Sequence, residues 1–110
     1  MRISMLALVL VVCACGPNDP SGRAAGVGAL TADTARGATV YMGQCASCHA
    51  ADGKGVAAVS GADLTVKVPM FTAQQITLVV LNGEGKMAPM PGMKDQEIAD
   101  VVAYCKATFK

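Results

Sequence analysis

The sequence contains no tryptophan, and two Tyr and two Phe are the only aromatic residues in 110. A chain of this length has room for one compact domain, and so few bulky side chains leave it little with which to build a core unaided. Something other than side chains has to fill the middle. Charge is scarce as well: 15% of residues are charged and the formal net charge is +1. That surplus is Arg2, so a chain without its first fourteen residues is neutral. Nucleic acid is thereby excluded as a partner, because it requires a basic surface. Long apolar runs are absent too. Residues 3–14 are apolar except for Ser4, which is short of the roughly 20 residues that a permanent membrane helix needs.

That apolar run, preceded by Arg2, suits an export signal over residues 1–14. It ends in Val12-Cys13-Ala14-Cys15-Gly16, which resembles the processing site of bacterial lipoproteins. The resemblance implies that Cys15 is lipidated and becomes the mature N-terminus. Cys13 fits less well, since Val12 would then occupy the slot for a small residue. The plainer alternative is a secreted protein cut near Ala14. Multiple acyl chains would anchor the domain stably where a single chain would not.

Residues 15–31 are rich in Gly, Pro, Ser and Ala without apolar periodicity, and are expected to form a flexible linker between the lipid and a domain spanning 32–110. Three helical patterns follow. The first, over residues 32–47, places Ala38, Tyr41, Met42, Cys45 and Cys48 on one face. The second opens at a Thr72/Gln75 capping box and stops at Asn82-Gly83. The third covers residues 95–109, with Ile98, Val101, Val102, Cys105 and Phe109 inward. No strand pattern is convincing, so the predicted fold is all-α with long loops.

The string Cys45-Ala46-Ser47-Cys48-His49 carries the chemistry. Two thiols three positions apart can reach the two vinyl groups of one haem, and the His that follows can ligate its iron. A zinc site would need a second pair of ligands, yet only Cys105 remains and His49 is the one His in the chain. A thioredoxin-like pair would want a strand before it. A Cys45–Cys48 disulfide is the dull alternative.

From about residue 32 onward the chain resembles the class I cytochrome c family. The resemblance rests on Gly37, Tyr41, the Cys45-to-His49 string and Ala51-Asp52-Gly53-Lys54-Gly55. It continues through Leu81-Asn82-Gly83-Glu84-Gly85-Lys86-Met87, Pro89-Met90-Pro91-Gly92 and the closing Glu97-Ile98-Ala99-Asp100-Val101-Val102-Ala103-Tyr104. It implies a small fold of three main helices around one covalent haem c. It also implies a close crossing of the first and last helices, with Gly37 and Tyr41 meeting Val101 and Tyr104. The family's axial Met falls on Met87. Met90, held extended between Pro89 and Pro91, is the competitor; Met93 stands where the family usually has a buried Leu. Met42 lies on the wrong side of the haem, and Met70 is expected to pack.

Three positions depart from the family pattern. Ala62 stands where a Pro is common, so a carbonyl at Gly61 or Ala62 is expected to receive the His49 Nδ1 proton. Lys94 replaces a capping Ser or Thr, so the last helix is expected to begin at Asp95. Cys105 takes a core position, where it reads as a small buried apolar residue.

With His49 and Met87 both on the iron, no open coordination site is left for a substrate. The resemblance then implies an electron carrier and not an enzyme, exported to the periplasmic side of a bacterial membrane, lipid-anchored, and serving a respiratory chain. Its partners would be a redox protein donor and acceptor, met transiently. The alternatives are a haem-based gas sensor or weak peroxidase with a labile Met, and an electron-entry module of a larger reductase or oxidase.

Overall fold

Among the described residues the first helix opens at Asp19-Pro20, inside the stretch whose composition suggests a linker. The structure, a computed structural model, describes residues 19–110. The expected export signal and lipidation site Cys15 lie outside the described residues. Among those described, the secondary structure is helical: α1 (Pro20–Gly28), α2 (Thr34–Gln44), α3 (Ala46–His49), α4 (Leu64–Lys67), α5 (Ala73–Asn82) and α6 (Asp95–Thr108). Two single 3-10 turns, Ala57–Val59 and Val68–Met70, lie in the connections flanking α4. The all-α fold expected from the sequence is the one observed.

The linker expected over residues 15–31 is corrected by α1. Asp19 caps this helix by accepting from the Gly22 amide at 2.9 Å, and Pro20 starts it with a φ already suited to a helix. Ala24 and Val27, at 1% and 2% exposure, bury one face against α5 and α6. The sequence hides this helix because Gly22, Gly26 and Gly28 lower its intrinsic propensity. Its buried stripe is only two residues, too short for a period to show. Tertiary contact, not local preference, holds it.

The centre of the fold is the crossing of α2 and α6. A Cβ at Gly37 would run into the carbonyl oxygen of Asp100 and come within 2.8 Å of the Tyr104 Cβ, so only glycine permits the approach. Below the crossing, Tyr41 is fully buried, with its ring centroid 5.4 Å from Tyr104 and 5.3 Å from Phe109. The expected meeting of Gly37 and Tyr41 with the last helix is thus observed.

A buried carboxylate ties the same two helices together. Asp100, 2% exposed, accepts from the Asp33 amide at 2.8 Å, Gln96 Nε2 at 2.8 Å and Arg36 Nε at 2.9 Å. Asp33 in turn caps α2 by accepting from the Ala35 and Arg36 amides at 2.9 and 3.0 Å. The hydrogen bond from Arg36 holds the Asp100 carboxyl down at about 2, against burial that pushes it up, with Asp33 and Gln96 assisting.

Helices α5 and α6 start as the sequence predicts. Thr72 and Gln75 cap α5 reciprocally, at 2.8 and 3.1 Å. α6 begins at Asp95, and Glu97 reaches back to the Lys94 amide at 3.2 Å. The Lys94 side chain caps nothing, because an ammonium has no acceptor.

Two outcomes follow for stability. Gly37→Ala forces α2 off α6 and should cost about 1–3 kcal/mol in urea unfolding. The depressed Asp100 carboxyl stabilises the fold fully above about pH 4, and that contribution is lost as pH falls toward 2. Asp100→Asn should therefore lower stability at neutral pH and flatten its decline in acid, as read from urea unfolding across a pH series.

Candidate functional site

The haem motif sits on a break between two helices. Cys45 ends α2 with φ −119° and opens α3. Its carbonyl accepts from the amides of Cys48 and His49, at 3.2 and 2.9 Å, which coils the motif into a single turn. Cys45 and Cys48 thereby stand one turn apart on a common face. Cys45 is half-buried and Cys48 exposed, and no disulfide joins them. Burial is the main reason that the Cys45 thiol is pushed up to about 11.

His49 is fixed from behind. Its Nδ1 lies 2.9 Å from the Ala62 carbonyl oxygen, which can only accept, so Nδ1 carries the proton and Nε2 keeps its lone pair for a metal. The carbonyl expected at Gly61 or Ala62 is Ala62. Ala50, immediately after His49, takes φ 64°, a region that side chains other than glycine rarely adopt. The Tyr41 hydroxyl donates to the Ala50 carbonyl at 2.6 Å and holds that turn in place. The resemblance places Tyr41 at the helix crossing, but nothing in the sequence signals this bond.

A cavity of about 240 Å³ opens beside His49, walled by Leu64, Val68, Phe71, Ile76 and Val79. A deeper space of about 80 Å³ shares four of these walls and His49, and adds Cys45, Met87 and Cys105. Sequence periodicity points to Ile76 and Val79 but not to Leu64, Val68 or Phe71. Those three come from α4 and the turn after it. The signal that was available is Asp63, which caps α4 by accepting from the Thr65 amide at 2.9 Å. Lys106 of α6 donates to the Phe71 carbonyl at 2.8 Å and pins this wall to the last helix. Cys105 is buried, 7% exposed, and burial pushes its thiol up to about 12. It is an apolar wall residue, as expected.

The methionines separate clearly. Met87 lies in a loop folded on itself, with paired hydrogen bonds between Glu84 and Met87 at 3.1 and 2.9 Å. Gly83 makes this possible. It has φ 71°, and a Cβ there would strike the Met87 carbonyl oxygen. Met87 lines the same space as His49. Met90 is held to α5 by its amide, which donates to the Val80 carbonyl at 2.8 Å, and neither it nor Met93 lines that space. Met42 is 56% exposed. Met70, expected to pack, is 69% exposed, because Val68 and Phe71 take the inward positions of its turn.

These residues fit a covalently held haem. Two cysteines a turn apart and not joined to each other, an imidazole with a committed tautomer and an open ring nitrogen, and a deep apolar slot are what such a group needs.

The chain is similar in sequence to several known proteins. A family described as "Cytochrome C oxidase, cbb3-type, subunit III" matches residues 32–105. Cytochrome c6 of Nostoc sp. (strain PCC 7120 / SAG 25.82 / UTEX 2576) is 40% identical over 80 residues, covering 69% of this chain and 71% of that one. Cytochrome c-551 of Bacillus subtilis (strain 168) is 33% identical over 98 residues, 88% of this chain and 83% of its own. Cytochrome c6 of Anabaena variabilis is 41% identical over 78 residues, 66% and 88% respectively. No solved structure matches.

Tyr41→Phe keeps the ring and removes only the hydroxyl. It should lower stability by about 1–2 kcal/mol in urea unfolding, since the Ala50 carbonyl loses its partner.

Proposed function

We propose, for a chain that belongs to the class I cytochrome c family as a mono-haem electron carrier with one covalently bound haem c, that His49 and Met87 are the axial ligands of the iron. When bound, the haem supplies a one-electron Fe(III)/Fe(II) couple. The protein's part is retention, ligation and shielding. Cys45 and Cys48 form the thioether links. His49 presents Nε2, its ring held by the Ala62 carbonyl; this bond also makes the imidazole a stronger donor. Met87 would be the second protein ligand, through its thioether, which would favour the reduced state and exclude outside ligands. Leu64, Val68, Ile76 and Val79 keep water from the site.

The observation that carries this reading is that Met87, alone among the loop methionines, lines the same apolar space as His49. With both axial positions filled by side chains, a substrate has no open site at the metal, so the proposed role is electron exchange without bond chemistry. The donor and acceptor are redox proteins, met through small transient interfaces. The proposal extends to export by residues 1–14, lipidation at Cys15 and service in a membrane-associated respiratory chain on the periplasmic side. No single helix among the described residues is long and apolar enough to cross a membrane.

Full-length holoprotein carrying Met87→Ala should lose the near-infrared Met–iron band and low-spin ferric spectrum. Its potential should drop within the about 0.8 V range that axial ligands command. Met90→Ala should keep both. The reverse pattern assigns the ligand to Met90. A pyridine haemochrome spectrum with intact mass should report one haem joined by two thioether bonds, together with the acylation of Cys15.

A further inference from the structure

The loop between α5 and α6 carries Met87, and it is tied down at its far end by a residue outside the segment that matches the family. Arg23 lies on α1, ahead of residues 32–105. Its guanidinium donates from Nη1 to the Pro91 carbonyl at 2.7 Å and from Nη2 to the Met93 carbonyl at 2.7 Å. Nε donates to Asp95 Oδ1 at 2.8 Å. A planar fork with several fixed donors suits two carbonyls and a carboxylate presented together; an ammonium would not. An exposed ion pair is worth little, but this side chain is only 24% exposed and makes all three contacts at short range.

We propose that Arg23 is a positioning residue for the sixth iron ligand, acting by clamping the carbonyls that end the Met87 loop. The inference rests on the reading of Met87 as that ligand. Two hydrogen bonds near Met87 are internal to the loop, those joining Glu84 and Met87. Another, from Met93 to the Met90 carbonyl, is internal as well. The Met90 amide fastens the loop to α5 at Val80, and Lys86 reaches Ser60 at the surface, at 3.2 Å. Pro89 and Pro91 have no amide proton to offer. On the α6 side, the clamp is Arg23. Its platform is firm, because Ala24 and Val27 of the same helix are buried in the core. For Met87 to leave the iron the loop has to swing out, and pinning both of its ends makes that opening costly.

Imidazole added to the ferric full-length holoprotein competes with the Met and reports loop opening. Arg23→Ala should raise imidazole affinity about tenfold, while the Met–iron band persists in the absence of imidazole. Arg23→Lys, with one compact donor group, should fall between the two proteins. If Arg23→Ala does not yield folded holoprotein, Arg23→Gln is read in the same way. Unchanged imidazole affinity overturns the inference, even where thermal stability drops, since that pattern marks a merely structural contact. A Met–iron band in the unaltered protein together with unchanged affinity defeats only this inference. A missing band in the unaltered protein defeats the Met87 reading and the clamp with it.

Discussion

Backbone meets backbone where α2 passes over α6, because Gly37 offers no side chain to hold the Asp100 carbonyl away. The remaining order of the molecule follows from that approach. It lets the Asp100 carboxylate reach the amide of Asp33 at the start of α2, and it seats Tyr41 among Tyr104 and Phe109. From there the Tyr41 hydroxyl extends to Ala50, the residue after His49. A contact made at the helix crossing is thus relayed, through one aromatic side chain, to the turn that aims His49.

The site is built by division of labour among weak elements. α3 and α4 have four residues each, too short to stand as isolated helices. Each is held by a longer partner: α3 by continuity with α2, and the α4 wall by Lys106 on α6. The deeper space beside them has almost wholly apolar walls, most of them Val, Leu and Ile, with Tyr41 as its one aromatic. A chain short of bulky side chains thereby leaves space for a macrocycle to complete its core, and folding and haem retention become one problem.

Much of this could be read from the residues. Cys45, Cys48 and His49 identify the cofactor because the chemistry demands that spacing. The main helices show through their apolar period, and the Thr72/Gln75 cap through a local rule. Other features carry no local sign. The bond from Tyr41 to Ala50 joins residues nine apart across a bend, and Arg23 meets Pro91 and Met93 only once the chain has closed on itself. The first helix escaped because glycine-rich composition resembles a linker when burial is out of sight; two small side chains against a neighbour outweighed it. Met70 shows the opposite case, an apolar residue left in solvent because the turn had better candidates for the inside.

The folding of α1 into the domain also changes its reach. Five peptide steps separate Cys15 from Pro20, a contour of at most about 17 Å. With the proposed acyl chains on Cys15, the carrier would be held on a short leash at the bilayer surface, not swung on a long one. Its encounters would then become a two-dimensional search, with lateral diffusion delivering the partners.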